Sequence, residues 1–298
     1  MTQNSGCFDW EVKKDEKTGS ISHELNRLES HLLPKAGREG VPVCLSFAGK
    51  KRESGDTHYL ACAMQSGVIH VLSGFSLKVE TTIEKTFIDP NDSKSPVTSL
   101  QTSSDGNWLA CIRNGGDISI YNLQTLELHT QIPMALLGNS KPCACGFHKA
   151  DNNNLVIVCN DNRFYVYSVA ERQISNWSAA NSEKIPAAIT NHASRIRGLC
   201  FNKSQPDIFC LWSPSFMLFV DTTKRVALAS EKQTKKELYK PSEKRVKDLG
   251  LKIKDCYRPL VSAEYIGENE IVVVESPWIK VMQHFPNVLH RKRYGGNN

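Results

Sequence analysis

The chain has 298 residues, of which 40% are hydrophobic and 23% are charged, and its net charge is +6. These values are ordinary for a globular protein. No apolar stretch is longer than a strand, and residues 1–6 lack the basic and apolar parts of a signal peptide, so we expect neither a membrane span nor secretion. Eight of the ten cysteines lie inside predicted strands, which favours a reducing compartment.

The first 40 residues form a polar leader in which we predict two short elements. Residues 10–12, Trp-Glu-Val, are interpreted as a remnant strand of a preceding repeat unit, and residues 23–33 predict a short helix. Pro34 and Gly37 separate this leader from the first clear strand.

Residues 41–230 repeat one pattern of four short apolar runs at intervals of about fifty residues. Cysteine closes the second run of every unit, and these four cysteines are separated by 49, 48 and 51 residues: Cys62, Cys111, Cys159 and Cys210. Four buried strands per unit are typical of a β-propeller blade. We therefore predict an all-β protein with four full blades, whose last one ends with a strand over residues 225–229.

The repeat is followed by a basic insertion, a shorter unit and a tail. Residues 231–258 hold ten Lys or Arg against five acids, for a net charge of +5. Residues 259–286 predict only a half blade, and residues 287–298 form a basic tail. Because natural sheets avoid open edges and propellers close with about four to eight blades, we interpret the chain as a partial or open propeller of four to five blades. It would be part of a larger propeller protein or a shortened form of one.

The positive charge is confined to these two segments, since the rest of the chain sums to −2. Localised basic segments beside a neutral scaffold are expected to bind phosphate or to signal nuclear import, and the alternative is a solvated loop. The candidate residues for binding RNA or a partner are Lys232, Lys235, Lys236, Lys240, Lys244, Arg245, Lys247, Lys252, Lys254, Arg291, Lys292, Arg293 and Tyr294.

Residues 104–111, Ser-Asp-Gly-Asn-Trp-Leu-Ala-Cys, resemble the turn and second strand of a WD-repeat blade. Asp105 and Gly106 supply the tight hairpin turn. The Trp-Asp dipeptide that ends the third strand of that family is replaced in every unit, and only Asp221 keeps the aspartate.

The last part of the chain resembles the C-terminal end of cirhin-type proteins, which are WD-repeat components of the small-subunit processome. The similarity is carried by the Val- and Glu-rich residues 270–277, by Phe285-Pro286 and by the basic run of residues 290–295. It implies a nuclear, nucleolar scaffold that supports pre-rRNA processing and maturation of the small-subunit rRNA. The implied partners are other WD-repeat proteins of the processome and pre-ribosomal RNA.

The sequence contains none of the common catalytic motifs, so we expect no enzymatic activity, cofactor, metal or small-molecule substrate. Cys143 and Cys145 form a single Cys-x-Cys pair, which lacks the second ligand pair of a zinc site and is interpreted as core. His192 is expected to donate a structural hydrogen bond. The alternative function is a WD-repeat adaptor of another nuclear complex, such as a ubiquitin ligase or a chromatin assembly, with the tail as its import signal.

Overall fold

The computed structural model describes side chains for residues 40–49, 58–74, 76–83, 96–149, 151–202, 204–205, 207–223, 260–267 and 270–274. Outside these ranges it describes strand backbone only, and all structural statements below refer to these parts. In the described part of the chain no helix has the length and apolar character that a membrane crossing requires.

The strands form five four-stranded antiparallel sheets, preceded by one hairpin. The hairpin contains β1 (Ser5–Lys14) and β2 (Ile21–His31). Blade 1 contains β3 (Pro42–Lys50), β4 (Thr57–Met64), β5 (Ile69–Ser73) and β6 (Val79–Ile83). Blade 2 contains β7 (Val97–Thr102), β8 (Trp108–Arg113), β9 (Ile118–Asn122) and β10 (Glu127–Ile132).

The remaining three blades repeat this order along the chain. Blade 3 contains β11 (Pro142–Phe147), β12 (Asn154–Cys159), β13 (Phe164–Ser168) and β14 (Gln173–Ile174). Blade 4 contains β15 (Gly198–Phe201), β16 (Ile208–Trp212), β17 (Phe216–Asp221) and β18 (Lys235–Glu237). Blade 5 contains β19 (Leu260–Tyr265), β20 (Glu270–Glu275), β21 (Trp278–Phe285) and β22 (Val288–Arg291).

The hairpin turn predicted at residues 104–107 is present between β7 and β8. Gly106 has a φ of 68°, in the left-handed region that glycine tolerates best. The hydroxyl of Ser103 accepts a hydrogen bond from the backbone N–H of Trp108 at 2.9 Å, and Asp105 Oδ1 accepts one from the N–H of Asn107 at 3.1 Å. These side-chain acceptors fix the tight turn and with it the register of blade 2.

Each blade packs against the next one in chain order, and the core consists of these interfaces. The first strands of successive blades contact one another, so β3, β7, β11, β15 and β19 lie innermost. Apolar residues from both partners fill the interfaces between blades 1 and 2, 2 and 3, 3 and 4, and 4 and 5. Aligned, interdigitated sheet faces of this kind exclude water from most β-branched and aromatic side chains.

A β-bulge interrupts the first strand of four blades at the same place. The pairing shifts between Pro42 and Cys44, Val97 and Ser99, Pro142 and Ala144, and Leu260 and Ser262. The bulge breaks the two-residue alternation of a strand, and the extra residue is exposed in all four cases: Val43, Thr98, Cys143 and Val261. Cys143, predicted to be a core residue, is therefore exposed, whereas Cys145 is buried.

The chain differs from the sequence-based expectation at both ends. The helix predicted over residues 23–33 is wrong, because residues 21–31 form β2 and pair with β1. Cross-strand pairing, for example of Trp10 with Leu25, overrides the weak helix propensity of this segment. The strand predicted over residues 10–12 is confirmed as part of β1.

The half blade predicted over residues 259–286 is a complete sheet in the structure. The segment after Pro277 pairs along β20 from Trp278 to Gln283, and β22 then pairs with β21. Consequently the predicted tail, residues 287–298, begins with the fourth strand of blade 5.

The fourth strand of blade 4 is formed by residues 235–237 and lies inside the predicted basic loop of residues 231–258. The strand predicted over residues 225–229 lies outside the described residues. A helical connection between blades 3 and 4 was not predicted. It contains α1 (Asn176–Asn181), a 3-10 turn (Ser182–Lys184) and α2 (Ala187–Thr190).

Candidate nucleic-acid interface

The strand order divides the connections between strands over two opposite rims. Because every sheet is antiparallel with the same order, second-to-third and fourth-to-first connections leave at one end of the blades. We call this end the helical rim, since it carries α1 and α2. First-to-second and third-to-fourth connections leave at the other end, the opposite rim.

The two strands that lie within the basic segments predicted from the sequence end at the same rim. Strands β18 and β22 are fourth strands of neighbouring blades, so each of them ends at the helical rim. The chain therefore leaves blade 4 there after Glu237, toward most of the basic insertion, and leaves blade 5 there after Arg291.

Three of the candidate residues lie in strands that the structure describes. Lys235 and Lys236 lie in β18, at register positions opposite Leu218 and Met217, and Arg291 is the last residue of β22. Lys232 precedes β18 in the sequence and lies outside the described residues. The others lie outside the described residues: Lys240, Lys244, Arg245, Lys247, Lys252, Lys254, Lys292, Arg293 and Tyr294.

Charge is distributed unequally between the two rims. The connections of the helical rim, with the residues after β22, contain sixteen Lys or Arg and nine Asp or Glu, for a net charge of +7. The connections of the opposite rim contain nine basic and eight acidic residues, for a net charge of +1. A surplus on one side favours a polyanion or an acidic protein surface at the helical rim.

Two basic residues of the helical connection were not identified from the sequence. Lys184 and Arg195 are exposed on the helical rim beside blade 4. The Arg195 guanidinium donates a hydrogen bond to the carbonyl oxygen of Thr190 at 3.1 Å. The only sequence signal for this site was the 23-residue gap between β14 and β15, which is long for a propeller connection.

The helical connection is fastened by buried polar contacts. The amide of Asn162 in blade 3 donates to the carbonyl oxygen of Ser194 at 3.1 Å and accepts from the N–H of Ile196 at 2.8 Å. His192 was expected to donate a hydrogen bond between strands. Instead its Nδ1 accepts from the N–H of Ser194 at 3.0 Å, and its ring packs edge-on against Phe216 of β17 at 4.7 Å.

The first strands of all five blades line a common cavity of about 720 Å³. Across it, Lys149 after β11 and Glu264 in β19 form an ion pair with an Nζ to Oε1 distance of 2.7 Å. Both side chains are more than one-third exposed, so the pair contributes little to stability. The two charges therefore balance at this point of the cavity.

Burial makes several of the described thiols poor nucleophiles. Burial raises the pKa of Cys111 to about 12 and that of Cys62 to about 11. Cys143 is exposed as a residue, but its Sγ faces the carbonyl oxygens of Val158 and Ile196 at 3.5 Å, and desolvation raises its pKa to about 11. Thiolates are therefore scarce at neutral pH. Within the described residues no three His, Cys, Asp or Glu side chains form a group that could hold a metal ion.

The chain is similar to three curated proteins. It is 24% identical over 263 residues to the U3 small nucleolar RNA-associated protein 4 homolog of Homo sapiens, covering 86% of this chain and 37% of the relative. The Mus musculus homolog is 26% identical over 253 residues, with coverages of 81% and 35%. U3 small nucleolar RNA-associated protein 4 of Schizosaccharomyces pombe is 24% identical over 201 residues, with coverages of 61% and 28%.

This chain therefore spans about a third of the length of these relatives, at 37%, 35% and 28%. No family model matches it. Among solved structures it is similar to the β-propeller domain of Cps50 (Swd1) from Myceliophteria thermophila, with a TM-score of 0.56, 12% identity and coverages of 86% and 71%. The predicted fold, a partial WD-type β-propeller, is confirmed. The chain is thus a β-propeller protein with sequence similarity to U3 small nucleolar RNA-associated protein 4, also called cirhin.

Proposed function

We propose that the chain is a non-catalytic WD-repeat scaffold in ribosome biogenesis, which acts in the small-subunit processome and supports pre-rRNA processing. The observation that carries this proposal is the similarity to U3 small nucleolar RNA-associated protein 4 over 86% of the chain. The raised pKa of the buried thiols agrees with a scaffold, since few thiolates are present at neutral pH to act as nucleophiles.

The helical rim of blades 4 and 5 is our candidate for the surface that meets RNA or an acidic partner. Its basic residues come from three separate parts of the chain: the helical connection, the connection after β18 and the residues after β22. Convergence of such segments on one rim raises the local positive potential more than any single loop does. Phosphate contacts would then supply binding energy without base specificity, which suits a protein that holds a large RNA in place.

Charge reversal on the two rims tests this proposal directly. The helical-rim variant carries Lys244→Glu, Arg245→Glu and Lys247→Glu. The matched control carries Lys78→Glu, Lys203→Glu and Lys224→Glu, which change the net charge equally on the opposite rim. We expect only the first variant to bind single-stranded RNA more weakly, with a salt slope that is smaller by about 0.7 for each lost phosphate contact. Equal weakening by both variants would remove the helical rim from the proposal.

The cellular role is tested by depletion and rescue. Loss of the protein should reduce mature small-subunit rRNA and lead to accumulation of its precursors, and a tagged copy should concentrate in the nucleolus. A nuclear signal outside the nucleolus with normal rRNA processing would favour the second candidate, an adaptor of another nuclear complex. The basic residues that favour this candidate are Arg291, Lys292 and Arg293, whose run suits an import signal.

A further inference from the structure

Blade 1 has a second apolar face, directed away from blade 2. Cys44 and Ala48 of β3 pack into the interface with blade 2, whereas the alternate residues Leu45 and Phe47 are 62% and 59% exposed. In the described part of the chain, large apolar residues with comparable exposure are otherwise scattered. In blades 2 to 4 this side of the sheet packs against the preceding blade.

The outer half of the same face is covered. The register pairs Leu45 with Cys62 and Leu60 with Leu72, so these residues share the face that turns away from blade 2. Cys62, Met64 and Leu72 are nevertheless only 3%, 0% and 3% exposed, and they form a separate cluster with Leu60 and Val79. A side chain on a bare sheet face cannot be this inaccessible, so a further segment lies over β4 and β5.

The N-terminal hairpin has the pattern that such a cover needs. In β1 and β2 the register places Phe8 opposite Arg27, Trp10 opposite Leu25 and Val12 opposite His23. One face therefore carries the apolar residues Phe8, Trp10, Val12 and Leu25 together with His23 and Arg27. The other face carries charged and polar residues: Asp9, Glu11, Lys13, Ser22, Glu24 and Asn26. A two-stranded sheet is marginally stable by itself, and burial of its apolar face would stabilise it.

The length of the connection restricts where the hairpin can lie. Only residues 32–39 separate β2 from Gly40 at the start of blade 1. Eight extended residues reach about 26–29 Å, whereas packed sheets are about 10 Å apart. The open face of blade 1 is therefore within easy reach, and every blade already packs on its neighbour in chain order.

We propose that β1 and β2 are the third and fourth strands of an incomplete additional blade, and that their apolar face covers Leu60, Cys62, Met64 and Leu72. Two strands at the outer position cover β4 and β5 and leave β3 open. This arrangement explains why burial on this face changes from nearly complete at Met64 to 59% exposure at Phe47. The exposed strip of β3 is then the part of this face that the hairpin does not cover.

The rate of Cys62 alkylation reports directly whether the hairpin covers this residue, and Cys111 is an internal control. Cys111 lies in the interface between blades 1 and 2 and reports unfolding of the whole sheet. With the full-length chain, Trp10→Lys should raise the rate of iodoacetamide modification at Cys62 by about tenfold or more, because local opening becomes easier. The Glu11→Lys control adds the same side chain on the polar face of the hairpin and should leave the rate unchanged. In both variants Cys111 should stay protected.

The proposal is overturned if Trp10→Lys leaves both cysteines as protected as in the unsubstituted chain. Another segment, such as the outer strands of blade 5, would then cover Cys62. If both cysteines become reactive in Trp10→Lys, the variant has unfolded. A photo-crosslinking benzophenone side chain at position 10 of the otherwise unsubstituted chain then shows which segment the hairpin contacts. Crosslinks to residues 58–72 support the proposal, and crosslinks confined to other segments contradict it.

Discussion

Asn162 donates a hydrogen bond from its side-chain Nδ2 to the carbonyl oxygen of Ile189 at 2.9 Å, and thereby ties the helical connection to blade 3. Asn162 is completely buried and has a φ of 66°. Asparagine is one of the few residues with a side chain that tolerates this left-handed conformation. One side chain therefore sets both the turn between β12 and β13 and the position of the helical rim.

Replacement of Asn162 should be among the most destabilising single changes in the chain. We expect Asn162→Ala to lower the free energy of unfolding by about 2–4 kcal/mol, because it leaves buried carbonyl and N–H groups unpaired and adds strain at positive φ. Asn162→Gly removes the same hydrogen bonds but accepts the backbone conformation, and should cost about 1 kcal/mol less. Urea titrations measure both values. Identical midpoints for Asn162→Ala and the unsubstituted chain would contradict this role.

Gly198 of β15 lies against the ring of Trp212 in blade 4. It pairs with Trp212, and a Cβ at position 198 would lie 2.5 Å from the Trp212 ring. Gly198→Ala should therefore cost about 1–3 kcal/mol of stability through overpacking. At Gly267 the nearest atom is 3.8 Å away, so Gly267→Ala should stay within about 0.5 kcal/mol. Thermal unfolding of the two variants should differ, and equal melting temperatures would refute the steric argument.

Stability should fall with rising pH above the ordinary cysteine pKa of 9.0, because burial raises the pKa of Cys111 to about 12 in the folded chain. Above pH 9 the unfolded chain loses the proton that the folded chain retains, so ionisation favours unfolding. The contribution of Cys111 to the free energy of unfolding is fully present below pH 9. It decreases by about 1.4 kcal/mol per pH unit up to about pH 12. Between pH 9 and pH 10.5, Cys111→Val should reduce the decrease of the free energy of unfolding with pH by this amount, which urea titrations at several pH values measure. An unchanged slope would show that Cys111 is not desolvated.

The ion pair between Lys149 and Glu264 joins blades 3 and 5 across the cavity, but it should be weak. A double-mutant cycle with Lys149→Met and Glu264→Gln should give a coupling energy of about 0–1 kcal/mol, because both groups are partly solvated. The coupling should decrease in 1 M salt. A value above 2 kcal/mol that resists salt would mean that the pair is shielded and holds the arc of blades together.

Strand positions and the core were largely predictable from the sequence, because cysteine and β-branched residues recur in register at each second strand. Cys143 was wrongly placed in the core because a bulge changes the direction of one residue without changing the apolar pattern. The segment of β2 could equally form a helix, and only its pairing with β1 decides its conformation. Such pairing depends on residues far apart in sequence.

The candidate interface was predictable as a set of residue types, but its arrangement was not. Lys240 and Arg291 belong to segments that look unrelated in the sequence. The strands that lead into these segments, β18 and β22, end at one rim because they are fourth strands of adjacent blades. Neither strand was predicted, since β18 is only three residues long and β22 follows a proline-containing linker. Exposed arginines in a helical connection, such as Arg195, carry no sequence pattern that distinguishes them from ordinary surface residues.

The central claim, a scaffold role in ribosome biogenesis, is tested most directly by sequencing the RNA that copurifies with the tagged full-length protein. The account predicts enrichment of the U3 small nucleolar RNA and of pre-ribosomal RNA, with both reduced by the helical-rim charge reversal and unaffected by the control on the opposite rim. The account would be contradicted if both RNAs copurify with the protein at levels no higher than with an unrelated propeller protein.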